Sequence, residues 1–334
     1  MTNRGDNAGV LDRSGPVRPT LFISRCLGFE RCRYNAVTII DPVVELLKPF
    51  VDSVTECPEV AIGLGVPRPP IRIVETDERR VLYQPETKRD VTEEMTTFCS
   101  DFLSSIGEVD GFLLKYRSPS CGPSQVKIYN SFSPTAGHRK GAGMFAEAVI
   151  DRFPGAPVED EGRLQNFSIR HHFLTRVFTQ ARLRAAAAEQ SMHALVRFHA
   201  THKHLLLAYN ETKMRSLGRL VANEAHHSLE DVLSEYSAGL SRALAEPARH
   251  NTAINVLEHA LGYVSDSLTS QERAYFLDTV EQYRSEQVPL SVPSALLRSW
   301  ALRFDVPYLL DQTFYEPYPA TLVRVLDSGK GRPL

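Results

Sequence analysis

The chain has 334 residues, 43% hydrophobic and 23% charged, and a net charge of −2 at pH 7. That is ordinary globular composition, at a length that suggests two domains with apolar mass enough for two cores. No apolar run approaches the length that spans a bilayer, which excludes a membrane-spanning helix. The stretch 1–19 is polar and rich in Gly, Arg and Asp. It lacks the apolar core of a signal peptide and is expected to be disordered, with the protein in the cytoplasm. A reducing compartment and the odd count of five cysteines argue against disulfides. Metal binding, catalysis and packing are left as their roles.

Leu21-Phe22-Ile23 is a short buried-strand signal that ends at Ser24, just before Cys26. The segment 42–50 has helical character, with Pro42 in the first turn. A weaker strand signal over 51–55 leads into Glu56-Cys57-Pro58-Glu59, and Pro67, Pro69 and Pro70 mark an ordered loop. Asp90-Val91-Thr92-Glu93 has capping-box spacing and predicts a helix to about Ser105. The stretch 109–115 is a predicted strand, followed at once by Arg117-Ser118-Pro119-Ser120-Cys121-Gly122. Strand and helix alternate, so residues 20–153 are expected to form an α/β domain with a mostly parallel sheet. Ligands of such sheets bind beyond the carboxyl ends of the strands. Cys26, Cys57 and Cys121, each near a predicted strand end, can therefore meet although they are far apart in the chain.

The Gly-rich basic stretch 137–143 is predicted to be a flexible loop. A helix is expected over 144–153, and Pro154-Gly155-Ala156-Pro157 breaks it, which places the domain junction there. Residues 154–334 are expected to be an all-α helical bundle. Amphipathic helices are predicted over 167–189, over 192–209 and along the Leu229–Leu244 stripe. A capping box at Thr269-Ser270-Gln271-Glu272 opens a further helix to about Arg284.

No Cys-x-x-Cys and no Cys/His knuckle is present, so structural zinc has little support. Dispersed cysteines still bind an iron–sulfur cluster if the fold gathers them. The plain alternative is three small buried residues in turns. Spacing alone leaves these readings open.

Motifs go further. Ser24-Arg25-Cys26-Leu27-Gly28 with Cys32-Arg33-Tyr34-Asn35, then Cys57-Pro58-Glu59, Pro67-Arg68-Pro69-Pro70 and Arg117 to Gly122, resembles the thiouracil desulfidase family in order and wording. The similarity covers about residues 21–151. In the second half, Gly162-Arg163-Leu164, Phe198-His199-Ala200-Thr201-His202-Lys203-His204 and Ser216-Leu217-Gly218-Arg219-Leu220 resemble the helical YbgA-type domain. The fused form is similar to enzymes that remove sulfur from 4-thiouridine in transfer RNA. What the resemblance implies is a 4Fe-4S cluster held by Cys26, Cys57 and Cys121, with one iron left open to act as a Lewis acid on a thione. A carboxyl beside it is wanted for proton transfer. Glu59 is the first choice and Glu56 the fallback, with a turn-capping carboxylate as the plain reading of Glu59. Ser118 is placed to orient water or base, and Ser24 to hydrogen-bond a cluster sulfur; both also suit structural turns. Cys32 is held as a non-ligand and Cys99 as packing.

Between Arg163 and Glu224 stand ten Lys and Arg against three acids. Such a surface neutralises phosphates, and Arg163, Arg170, Arg176, Lys203, Lys213 and Arg219 are the expected tRNA contacts. A solvated bundle face is the plain alternative. His199, His202 and His204 lack the Glu of an H-E-x-x-H site and are expected to face RNA or the domain interface. The leading expectation is a tRNA 4-thiouridine desulfidase acting by hydrolysis, with no membrane and no obligate protein partner. Its rivals are a desulfidase of free 2-thiouracil and a non-catalytic iron–sulfur RNA-binding redox sensor.

Overall fold

The structure is a computed structural model that describes residues 17–77 and 79–323. The expected disordered start, up to residue 16, lies outside the described residues. By internal packing the chain divides into two units, Arg18–Gln180 and Ala181–Ala320.

In chain order, the strands of the first unit are β1 (Thr20–Ser24), β2 (Asp52–Glu56), β3 (Arg72–Glu75), β4 (Arg80–Gln84), β5 (Arg89–Asp90), β6 (Gly111–Leu114), β7 (Val126–Tyr129), β8 (His138–Gly141) and β9 (Val158–Asp160). Four form a sheet in the order β2-β1-β6-β9, and every neighbouring pair is parallel. Its register sets Ser24 beside Glu56 and Ile23 beside Leu113, so the carboxyl ends of β2, β1 and β6 are adjacent. The expected α/β domain with a parallel sheet is present. β9 pairs with β6, so the first unit runs past the expected junction at Phe153.

The other five strands form a second sheet, β5-β4-β3-β7-β8, in which β3 and β7 are the parallel pair and the rest are antiparallel. This sheet goes beyond the sequence expectation. β8 falls in the stretch 137–143 read as a flexible loop, yet it pairs antiparallel with β7 from Gly141 to His138. A strand of His, Arg, Lys and Gly carries no β-branched or aromatic signal, and its charges suit an exposed edge.

Helices α1 (Pro42–Leu47), α2 (Pro58–Ala61), α3 (Thr92–Ser105) and α4 (Met144–Arg152) connect these strands. Asp41 caps α1, its Oδ1 accepting from Val43 N at 2.9 Å and Val44 N at 3.1 Å. α3 ends at Ser105 as expected, but its capping box is absent. Val91 is the N-cap, and Asp90 accepts from Thr92 N instead. Phe22 of β1, Phe112 of β6 and Phe145 of α4 are fully buried in the core, with Met95, Cys99 and Leu103 of α3. Cys99 is therefore a packing residue.

The second unit is all-helical. α5 (Phe167–Ala188) spans the division, followed by α6 (Met192–Thr201), α7 (Lys203–Ala222), α8 (Leu229–Ala243), α9 (His250–Gly262), α10 (Ser270–Arg284), α11 (Ser291–Arg303) and α12 (Pro307–Leu310). The single helix expected over 192–209 is two, broken at His202, whose ring Nδ1 lies 2.8 Å from the Phe198 carbonyl. The Thr269–Glu272 capping box is formed, and α10 reaches Arg284 as expected. Among the described residues, no helix is long and apolar enough to cross a membrane.

Candidate metal centre

Three turns at adjacent strand ends build the site. After β1, Leu27 N donates to Ser24 O at 2.8 Å, which turns the chain so that Cys26 stays buried. After β2, Cys57 is the N-cap of α2, and its carbonyl accepts from Val60 N and Ala61 N, both at 3.0 Å. After β6, Cys121 N donates to Ser118 Oγ at 3.1 Å and Gly122 N to Ser118 O at 2.8 Å. α4 seats on this last turn, with Met144 N donating to Pro119 O and Ala146 N to Ser120 O, both at 3.0 Å. Backbone donors left over at a helix start thus bind carbonyls of the cysteine loop. Gly143 permits that approach, because a Cβ there would lie 2.5 Å from Ser120 O and 2.7 Å from Pro119 O.

The sulfurs affect one another. Cys32, held as a non-ligand from sequence, lies within hydrogen-bond reach of both the Cys26 and Cys57 thiols. Its thiol is pushed up to about 12, first by Cys26 and then by burial. Cys57 is pushed up by Cys32 and by burial. Cys121 is pushed up by burial and then by charge at Cys57, while the Ser24 and Ser120 hydroxyls work against that rise. All five cysteines are free thiols. Four buried thiols in one place form a donor set suited to a cation, because metal binding removes the protons and neutralises the thiolates. Among the described residues, no three His, Cys, Asp or Glu side chains are arranged to hold one ion. A cubane makes a different demand, since each thiolate binds a separate iron. The residues present fit such a cluster.

Glu59 sits at the edge of these thiols with both oxygens engaged. Oε2 accepts from Arg68 Nη2 at 2.7 Å and Nε at 3.0 Å; Oε1 accepts from Ser120 Oγ at 2.7 Å and Ser118 Oγ at 3.4 Å. Arg68, 2% exposed in its side chain, also donates to Cys32 O at 2.9 Å, and its Nη2 lies 4.0 Å from Cys57 Sγ. Ser24 Oγ accepts from Lys115 N at 3.0 Å and contacts the Cys121 thiol. Glu56 is turned to scaffolding, accepting from Cys57 N at 2.8 Å and pairing with Arg25 at 3.1 Å.

Cys26, Cys57, Cys121, Glu59, Ser118 and Ser24 are thus gathered in one place. Ser120 and Arg68 join them without having been singled out. Ser120 had a signal in its place between Ser118 and Cys121. Arg68 had one too: a cation between Pro67 and Pro69 is held by a stiff backbone and needs a fixed partner.

The expected tRNA contacts fare differently. Arg170 is buried and donates to Leu164 O at 2.6 Å, so it cannot meet phosphate. Arg163 is paired with Glu159 at 2.7 Å, and Arg176 donates to Gly155 O at 2.8 Å. These three belong to the first unit. Lys203, Lys213 and Arg219 lie on α7, with Lys203 and Arg219 exposed and Lys213 half-buried. His199, His202 and His204, expected at an RNA face or domain interface, are instead buried within the helical unit. His199 Nδ1 lies 3.0 Å from Tyr236 OH, and the His202 ring stacks on Phe198 at 3.9 Å.

Residues 21–161 match the family model described as 2-thiouracil desulfurase, and residues 203–319 match one described as a protein of unknown function, DUF1722. The chain is 27% identical over 130 residues to the uncharacterized protein YbgA of Escherichia coli K12, covering 39% of this chain and 77% of that one. It is 29% identical over 153 residues to the uncharacterized protein YbbK of Bacillus subtilis 168, covering 44% of this chain and 98% of that one. A solved structure, the 4Fe-4S-dependent thiouracil desulfidase TudS, is 30% identical, with 44% of this chain and 93% of that chain covered and a TM-score of 0.34.

Proposed function

Because residues 21–161 belong to the 2-thiouracil desulfurase family, we propose that the first unit removes sulfur from a thiolated uracil ring by hydrolysis. Water adds its oxygen to the ring carbon, the C–S bond breaks, and sulfide leaves, with no net redox change. The observation that carries this reading is a set of four buried thiols with a doubly anchored carboxylate, Glu59, at its edge.

Cys26, Cys57 and Cys121 would hold the 4Fe-4S cluster. When bound, the cluster supplies a Lewis-acidic iron for the thione sulfur. The chain supplies the proton chemistry. Glu59 Oε1, hydrogen-bonded by Ser120 and Ser118, takes the proton of the attacking water. Arg68 on Oε2 keeps the carboxylate aimed until then. Ser24 ties the end of β6 to β1 through Lys115 N and steadies the Cys121 sulfur.

The substrate we propose is 4-thiouridine within transfer RNA. The helical YbgA-type domain joined to the desulfurase domain supports it, as do the exposed cations Lys203 and Arg219 on α7. The description of the matched family favours free 2-thiouracil as the second reading.

Anaerobic iron and acid-labile sulfide analysis, run beside thione assays by mass spectrometry, tests the reading. The wild type should carry about four irons and four sulfides. Cys26→Ala, Cys57→Ala and Cys121→Ala should each lose most of both. The wild type should convert thiolated tRNA, or else free 2-thiouracil. A full cluster with no thione lost from either substrate overturns the proposed activity.

A further inference from the structure

Three thiols serve the proposed cluster, and a fourth, Cys32, is buried among them without a part in that chemistry. It lies within hydrogen-bond reach of the Cys26 and Cys57 thiols. The Cys57 thiol also donates to the Cys32 carbonyl at 3.6 Å. Contacts that involve no metal hold Cys32 and Cys57 together. Arg68 N donates to Tyr34 O at 2.8 Å and Arg68 Nη1 to Cys32 O at 2.9 Å, which fixes the segment carrying Cys32. The same guanidinium binds Glu59, two residues past Cys57, and its Nη2 lies 4.0 Å from Cys57 Sγ. One buried side chain thus clamps the Cys32 turn to the start of α2.

The other cysteines stand differently. The Cys121 thiol meets the Ser24 and Ser120 hydroxyls, and Cys99 is packed on α3 in the core. Cys26 is in reach of Cys32 as well, and the Arg68 clamp singles out Cys57.

We propose that Cys32 is a resolving cysteine. Once oxidation has removed the cluster, it forms a disulfide with Cys57 and keeps that ligand recoverable. The oxidant is hydrogen peroxide. Cys57, 9% exposed against 2% for Cys32, meets it first. The O–O bond breaks, Cys57 becomes a sulfenic acid, and water leaves. The Cys32 sulfur then displaces the sulfenic oxygen, the S–S bond forms, and a second water leaves. Two thiol hydrogens and two electrons pass to one peroxide. A sulfenic acid with no thiol beside it is open to further oxidation to sulfinic acid, which thiol reductants do not reverse. A disulfide is reducible, so both thiols return for cluster assembly. The inference rests on the cluster reading, in which Cys57 is a ligand and Cys32 is not, and on no particular substrate.

The test starts from full-length, cluster-loaded protein. Hydrogen peroxide is added beside an iron chelator until the visible absorption is gone, and the thiols are then alkylated and mapped by mass spectrometry without reduction. The map should link the Cys32 and Cys57 peptides and return Cys26, Cys99 and Cys121 alkylated. Dithiothreitol followed by iron and sulfide should restore the iron content. Cys32→Ser should carry wild-type iron before oxidation, then show sulfinic acid at Cys57 and regain several-fold less iron than the wild type. Cys32 recovered alkylated from the oxidised wild type, or bonded to Cys26 or Cys121, overturns the proposal, and that result needs no variant. Equal iron recovery in wild type and variant overturns it too, as does a folded Cys32→Ser protein that loads no iron, since Cys32 is then a ligand. A Cys32–Cys57 bond in a protein that converts no thione upholds this inference and refutes only the desulfidase reading.

Discussion

At the scale of single residues, the site turns on the environment of one carboxylate. Glu59 has Arg68 on one oxygen and two serine hydroxyls on the other, so its orientation is fixed twice over. Glu59→Gln keeps the side chain's shape and removes its basicity. The variant should retain iron and its visible absorption while kcat falls by about 10²–10⁴-fold, the usual worth of a positioned acid–base group. Wild-type turnover in that variant would return Glu59 to a turn-capping role. The choice between Glu59 and Glu56 was open in the sequence because both flank Cys57. Structure separates them by partner: Glu56 binds its own turn and Arg25, whereas Glu59 reaches two residues of the loop before Cys121. Arg170 makes the opposite point. In sequence it is one more cation in a basic run, and in the fold it is a buried donor to backbone carbonyls.

At the scale of elements, the cysteine loop and α4 are one assembly. The helix start supplies donors, the loop supplies carbonyls, and Gly143 lets them touch. Gly143→Ala places a methyl against two backbone oxygens, neither of which is the end of a flexible side chain. The helix must move off the loop, and Cys121 with it. The variant should melt at lower temperature, by an amount matching about 1–3 kcal/mol, and should bind less iron than the wild type. Unchanged melting and iron content would show that the loop stands without the helix. The same scale explains what patterning could and could not give. α3 ends where its sequence pattern says, and α10 follows both its capping box and its pattern, because those signals are local. β8 forms from residues with no strand propensity because β7 offers it a ladder.

At the scale of the whole molecule, buried groups include ones whose protonation acts on stability with opposite signs. In the helical unit, burial lowers the His199 and His204 rings to about 4 and His202 to about 3, against 6.5 for a free ring. The folded state keeps them neutral while the unfolded chain binds protons below pH 6.5. Their contribution is therefore complete above that pH and is lost as pH falls toward 4, by about 1.4 kcal/mol per pH unit for each ring. In the first unit, burial raises Asp160 to about 6, so protonation of that carboxyl favours the fold as pH falls from there. Circular-dichroism melts of the full chain should show helical signal losing thermal stability between about pH 6.5 and pH 4. A melting temperature flat across that range would mean that the three rings are protonated in the fold.

The sequence by itself determined the local matters: an α/β first part and a helical second, three cysteines near strand ends, and motifs that resemble one family over about residues 21–151. Periodicity, turn chemistry and motif wording are carried by neighbouring residues, so they can be read along the chain. The tertiary structure alone decided which side chains meet. The order β2-β1-β6 brings three distant turns to one edge, Arg68 crosses from a proline-rich loop to reach Glu59 and Cys32, and cations from β3, β7, β8 and the cysteine loop gather with no acid among the described residues there. Those encounters depend on strand order and on the burial of charge, which are long-range properties with no signature in any short stretch of sequence.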